Sequence, residues 1–124
     1  MSTDFVDTYE IVHNISWELG RISTHCYMIR RGVRAAAHET VHNDAAGEVR
    51  KTLLTHEMIW AEAPCGDNHT DFTFWEHEHV GKAVTYLQTY GDTLPVCVRC
   101  YLWGKIFGYS EEEIGRFLRD HAGD

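Results

Sequence analysis

Residues 35–42 read AAAHETVH. Within them His38, Glu39 and His42 have the H-E-x-x-H spacing with which two imidazoles hold zinc while the carboxylate draws a proton from the metal-bound water. On a helix, side chains four apart project from one face. Zinc would accept His38 and His42, take a third protein ligand, and keep water in its fourth position. Glu39 is then the candidate catalytic base. The chain carries nine histidines in 124 residues, and His56 and His79 fall on the apolar stripes of neighbouring segments. A histidine on such a stripe is either a hydrogen-bonded core residue or a ligand aimed inward. If inward, His38, His42, His56 and His79 converge on one metal, with Glu57 or Glu76 orienting an imidazole from behind.

The four cysteines, Cys26, Cys65, Cys97 and Cys100, supply a second candidate set. Cys65-x-x-x-His69 lies in a Gly/Asp/Asn-rich stretch, and Cys97-x-x-Cys100 follows Pro95. Cys65, His69, Cys97 and Cys100 together offer a zinc clasp joining two distant segments. Cys97 and Cys100 alone offer a redox dithiol at a helix start, or two small apolar side chains in a core helix.

Three family patterns overlap these residues. The order Glu18, Glu39-x-x-His42, Glu57, Glu76-x-x-His79 resembles the ligand order of ferritin-like di-iron carboxylate proteins, which implies a four-helix bundle with a di-iron centre. Its ligand groups are 18 to 21 residues apart, shorter than the long helices of that family. The H-E-x-x-H motif is similar to that of zinc proteases, but Asp44 stands where they carry an apolar residue, and the segment upstream of His38 has helical spacing where they carry a strand. The Cys-x-x-Cys pair resembles that of helical alkylhydroperoxidase-like proteins, with Gly104 in place of their following histidine. Arg116 and His121 match a spacing found in some helical ribonucleases.

The elements that would position these residues have helical spacing throughout. Apolar or small side chains recur in steps of three and four at Phe5, Tyr9, Val12, Ser16, Leu19, Ile22, Cys26, Ile29 and Val33. Gly20 and Gly32 are weak points in that stretch. Residues 33–49 are alanine-rich. Ala46, Val49, Leu53, His56, Trp60 and Ala63 form a stripe that Pro64 ends, and Phe72, Trp75, His79, Ala83, Tyr86 and Tyr90 form another. Helices are expected over 96–108 and, opened by a Ser110–Glu113 capping box, over the last residues. The expectation is a single all-α domain, residues 1–124, built as a small antiparallel bundle of five to six helices.

The net charge is −8 with neutral histidine, which repels phosphate backbones and argues against direct nucleic-acid binding. No apolar run spans a bilayer, and the N-terminal residues lack a basic start followed by an apolar stretch. A cytoplasmic, soluble protein is expected. The leading expectation is a transition-metal protein, zinc before di-iron, in a structural, hydrolytic or redox role. The alternative is a non-enzymatic acidic protein that binds and modulates or inhibits a partner with a basic surface, such as a nucleic-acid-handling enzyme. Exposed members of Trp103, Phe107 and Tyr109 would supply a partner or homo-oligomer surface.

Overall fold

The computed structural model describes residues 2–120, with side chains described from Ile15 onward. The expected apolar side chains Phe5, Tyr9 and Val12, and His121, lie outside the described residues. In chain order the elements are α1 (Ser2–Arg30), β1 (Ala36–His42), α2 (Asn43–Thr55), β2 (Ile59–Cys65), β3 (His69–Trp75), α3 (Glu78–Tyr90), a 3-10 turn (Gly91–Thr93), α4 (Val96–Ile106) and α5 (Glu111–Asp120). The three strands form one antiparallel sheet in the order β1-β3-β2. This overturns the all-α helical bundle. Residues 36–42 of the motif segment, the end of the stripe closed by Pro64 (β2) and the start of the Phe72 stripe (β3) are strands, whereas Ala46, Val49 and Leu53 lie in helix α2 as expected.

The physical reasons lie in single residues. In β1 the side chains alternate: Ala37, Glu39 and Val41 face one way, and Ala36, His38 and Thr40 the other. The inward position occupied by a carboxylate, Glu39, hides that alternation. In β3, Phe72 and Phe74 are fully buried on one face while Trp75 is buried on the other. Bulky apolar residues on both faces imitate helical spacing where both faces are covered. Pro64 lies in an edge strand, where a missing N–H is tolerated. The turn Gly66–Asn68 closes the β2–β3 hairpin, with Gly66 at φ 68°.

One face of the sheet packs on α1 and α2. Ile22, Cys26 and Ile29 of α1 and Val49 and Leu53 of α2 close over Ala37, Val41, Phe72 and Phe74. The other face is partly covered by α3 and α4, where Val80 and Val84 meet Ala36 and Trp75, flanked by Trp103, Ile106 and Phe107. Gly81 permits this approach, since a Cβ there would stand 2.5 Å from Trp75 Nε1.

The helix ends follow from local chemistry. α1 runs unbroken through Gly20 and stops at Gly32, whose φ is 77°. The Gly32 N–H bonds the Ile29 carbonyl and the Val33 N–H the Met28 carbonyl, a Schellman closure. α2 closes in the same pattern, with the Glu57 N–H on the Leu54 carbonyl and the Met58 N–H on the Leu53 carbonyl. Its left-handed residue is Glu57, at φ 58°. The expected capping box holds: Glu113 N–H donates to Ser110 Oγ and Ser110 N–H to Glu113 Oε1, both at 3.1 Å. Among the described residues no helix is long and apolar enough to cross a membrane.

Candidate functional site

β1 sends the motif residues to different places. Glu39 points to α1, where His25 Nε2 lies 2.8 Å from Oε1 and Arg21 3.5 Å from Oε2. His25 Nδ1 is 2.8 Å from Arg34 Nη1. A guanidinium only donates, so His25 Nδ1 accepts, and neutral His25 carries its proton on Nε2 and donates it to Glu39. That hydrogen bond, followed by the charge of Arg21, holds the Glu39 carboxyl below its ordinary pKa against the opposing effect of burial. The cluster also leaves Arg21 Nε and Arg34 Nε buried without a hydrogen-bond partner.

His38 points to the opposite face, so Glu39 cannot act as base toward a ligand held by His38. His38 Nε2 stands 3.7 Å from Asp71 Oδ1, and its ring lies near Phe107. Asp71 also accepts a 2.5 Å hydrogen bond from Thr40, and its charge raises the pKa of the Cys65 thiol. His38 and Asp71 border a cavity of about 610 Å³ whose lining also includes Thr73, Gln88, Trp103 and Phe107. Thr40 directs its proton to Asp71, and the charge of that carboxylate disfavours the Cys65 thiolate.

His42 ends β1 and caps α2, its Nδ1 accepting from Asp44 N–H at 3.1 Å. His56 is the residue at the C-terminal cap of α2. His79 lies in the first turn of α3, its ring stacked on His77. His38, His42, His56 and His79 thus have four separate local roles. The second set is brought together by halves. Cys65 and His69 are register partners in the β2–β3 hairpin, while Cys97 and Cys100 lie on α4. His42 joins the hairpin half, paired with His69 across β1 and β3. Among the described residues no three His, Cys, Asp or Glu side chains are grouped so as to hold a metal ion. The di-iron glutamates are equally dispersed: Glu57 occupies its left-handed turn, and Glu76 accepts a 2.8 Å bond from Arg30.

The partner surface expected from Trp103, Phe107 and Tyr109 falls at α4 and α5. The α4 sequence, VCVRCYLWGKI, is apolar around most of its circumference, yet of its residues only Gly104 is buried. Val96, Val98, Tyr101 and Leu102 are exposed, as are Tyr109 and Phe117. Between α4 and α5 lies a groove of about 590 Å³ whose walls include Trp103, Phe107, Tyr109, Ile114 and Phe117. Trp103 and Phe107 stack at 5.3 Å between ring centroids and 12° between planes. They form the wall between this groove and the sheet-side cavity. The sequence signal was present: an all-round apolar helix in so small a domain exceeds what one buried face requires.

Many of the basic side chains are neutralised internally. Arg21, Arg30, Arg50, Lys51, Arg99, Lys105 and Arg116 each pair with a carboxylate, Glu39, Glu76, Glu62, Glu48, Asp92, Glu111 and Glu112 respectively. The net charge of −8 is therefore an excess of acid, with few free cations to offset it locally. No family model matches the chain, and none of the curated proteins compared with it matches.

Proposed function

We propose that the protein is a non-enzymatic, acidic interaction module that docks through the α4–α5 groove onto a partner protein presenting an apolar or aromatic anchor within a basic surface. The observation that carries this reading is the mismatch between the apolarity of α4 and its exposure. A helix apolar around most of its circumference is normally buried, yet here Trp103, Phe107, Tyr109, Ile114 and Phe117 line an open groove, and exposed apolar surface marks a contact site. Charge selects the occupant. A chain of net charge −8 repels a second copy of itself and attracts a cationic surface over a distance set by salt. Binding at a basic site would let the protein compete with a nucleic acid for that site, which is the modulating role the composition suggests. The cysteines are all free thiols, which fits a reducing compartment such as the cytoplasm.

The test uses isotope-labelled protein and a synthetic Lys/Arg-rich amphipathic peptide bearing one Trp anchor. Amide shifts confined to α4 and α5, weakened by added salt and abolished in Phe117→Ser, are expected. Shifts spread elsewhere, or a groove occupied by self-association that Phe117→Ser removes, would overturn the reading.

A further inference from the structure

The docking surface leaves one reactive pair unused. Cys97 and Cys100 stand three residues apart at the start of α4, an 11-residue helix. Cys97 is exposed, whereas Cys100 is half-buried and borders the α4–α5 groove. This asymmetry gives an outer thiol that a substrate can reach and an inner one behind it.

Side chains at i and i+3 of a helix are neighbours. Helix geometry sets their Cα atoms about 5 Å apart, inside the range a disulfide spans. The Cβ atoms, about 5–6 Å apart in a regular helix, must approach by about 1–2 Å. The start of α4 is suited to this adjustment. Its N-cap is Pro95, which makes no side-chain capping bond, and the first turn's amides have no intrahelical acceptor to lose. A disulfide closed against such a small distortion is readily reduced again, which suits exchange rather than permanent cross-linking.

The other two thiols have different surroundings. Cys26 is packed between α1 and the sheet, and burial pushes its pKa up to about 11. Cys65 is exposed, and the charge of Asp71 raises its pKa. Neither has a second cysteine within the same turn.

We propose that Cys97 and Cys100 form a thiol–disulfide exchange site whose substrate is a low-molecular-weight disulfide. The deprotonated sulfur of Cys97 attacks one substrate sulfur. The substrate S–S bond breaks, its other sulfur leaves as a thiolate, and a mixed disulfide joins Cys97 to the retained half. Cys100, after giving its proton to water, attacks Cys97 Sγ and releases that half as a second thiolate. Two electrons pass from the dithiol to the substrate. The protein ends with a Cys97–Cys100 disulfide and the substrate as two thiols; an excess of thiol runs the same steps backward. Because Cys100 borders the α4–α5 groove, a partner seated there would cover it, and the exchange belongs to the protein free of that partner.

The experiment treats the reduced full chain with glutathione disulfide and follows intact mass and cysteine-containing peptides with time. Wild type is expected to lose two hydrogens at Cys97 and Cys100 and to retain no glutathione there. Cys100→Ser is expected to trap glutathione on Cys97, and Cys97→Ser to leave Cys100 reacting more slowly than Cys65. Circular dichroism identifies any variant that fails to fold, in which case alanine replaces serine. Wild type that keeps glutathione on Cys97 to the same extent as Cys100→Ser, or a Cys97 that reacts no faster than Cys65, would overturn the proposal.

Discussion

His25 donates a 2.8 Å hydrogen bond from α1 to Glu39 on β1, and that contact changes the meaning of the H-E-x-x-H residues. The carboxylate that would serve as a base in a metal site ties a helix to an edge strand. Arg34 behind His25 fixes the imidazole tautomer, and Arg21 shares the charge. The four residues form one polar unit in which each depends on the others.

Replacing Glu39 tests that assignment. Glu39→Gln keeps the shape and one acceptor oxygen but removes the charge facing Arg21 and His25. A hydrogen bond to a charged group contributes about 1.5–3 kcal/mol, so a loss of about 1–2 kcal/mol is expected in urea unfolding. His38→Ala, on the opposite and more open face, should cost less. Equal effects at the two positions would contradict the placement of Glu39 as the tie between α1 and β1.

The same group sets part of the acid sensitivity. Glu39 titrates below its ordinary value when folded, so the unfolded chain binds its proton more readily. Its stabilising contribution is complete above the unfolded carboxylate pKa and is lost as pH falls through the lower folded value. Urea midpoints measured between about pH 6 and pH 3 should fall more steeply for wild type than for Glu39→Gln. The surface carboxylates Glu62, Glu111 and Glu113 are also lowered, so they remain in both proteins and the difference in slope belongs to Glu39. Parallel profiles would count against it.

α4, α5 and the capping box were legible in the sequence because their signals are local: Pro95, Ser110 and Glu113 act within one turn. The sheet was not, because its strands break their own alternation where a tertiary partner compensates. Glu39 replaces an apolar residue only because His25 and Arg21 meet it, and Trp75 can oppose Phe74 only because α3 covers it. The Cys65–His69 proximity followed from their spacing across a Gly/Asp/Asn-rich stretch, though the strands on either side of it did not. The Asp71 junction was not, since Thr40, His38 and Cys65 reach it from two other strands. The groove was half visible, as surplus apolarity on α4 with no indication of what it lacked.

Glu57 gives a prediction of the opposite sign. It is the non-glycine residue at positive φ among the described residues, and its side chain is exposed. A left-handed conformation costs a non-glycine residue about 1–2 kcal/mol, which Glu57→Gly would relieve, offset in part by the greater freedom of glycine when unfolded. A net gain of about 0.5–1 kcal/mol is expected in urea unfolding, with no change in the helical signal. A loss of stability would mean that the Glu57 side chain contributes more than its backbone strain.

The junction that shapes the groove is tested by two coupled changes. At Gly104 an added Cβ would stand 2.7 Å from Ile114 Cγ1, and Ile114 is the buried anchor of α5. Gly104→Ala should cost about 1–3 kcal/mol through overpacking. Ile114→Ala should cost about 2–5 kcal/mol through the cavity it leaves. In the double variant the added methyl occupies part of the space Ile114 vacates, so the combined loss should fall short of the sum. The same cycle should change the groove, because a displaced α5 carries Phe117 with it. Tryptophan fluorescence, to which Trp103 contributes one of four indoles, should shift in Gly104→Ala and partly recover in the double variant. Additive losses with unchanged fluorescence would mean that α4 and α5 do not meet through this contact.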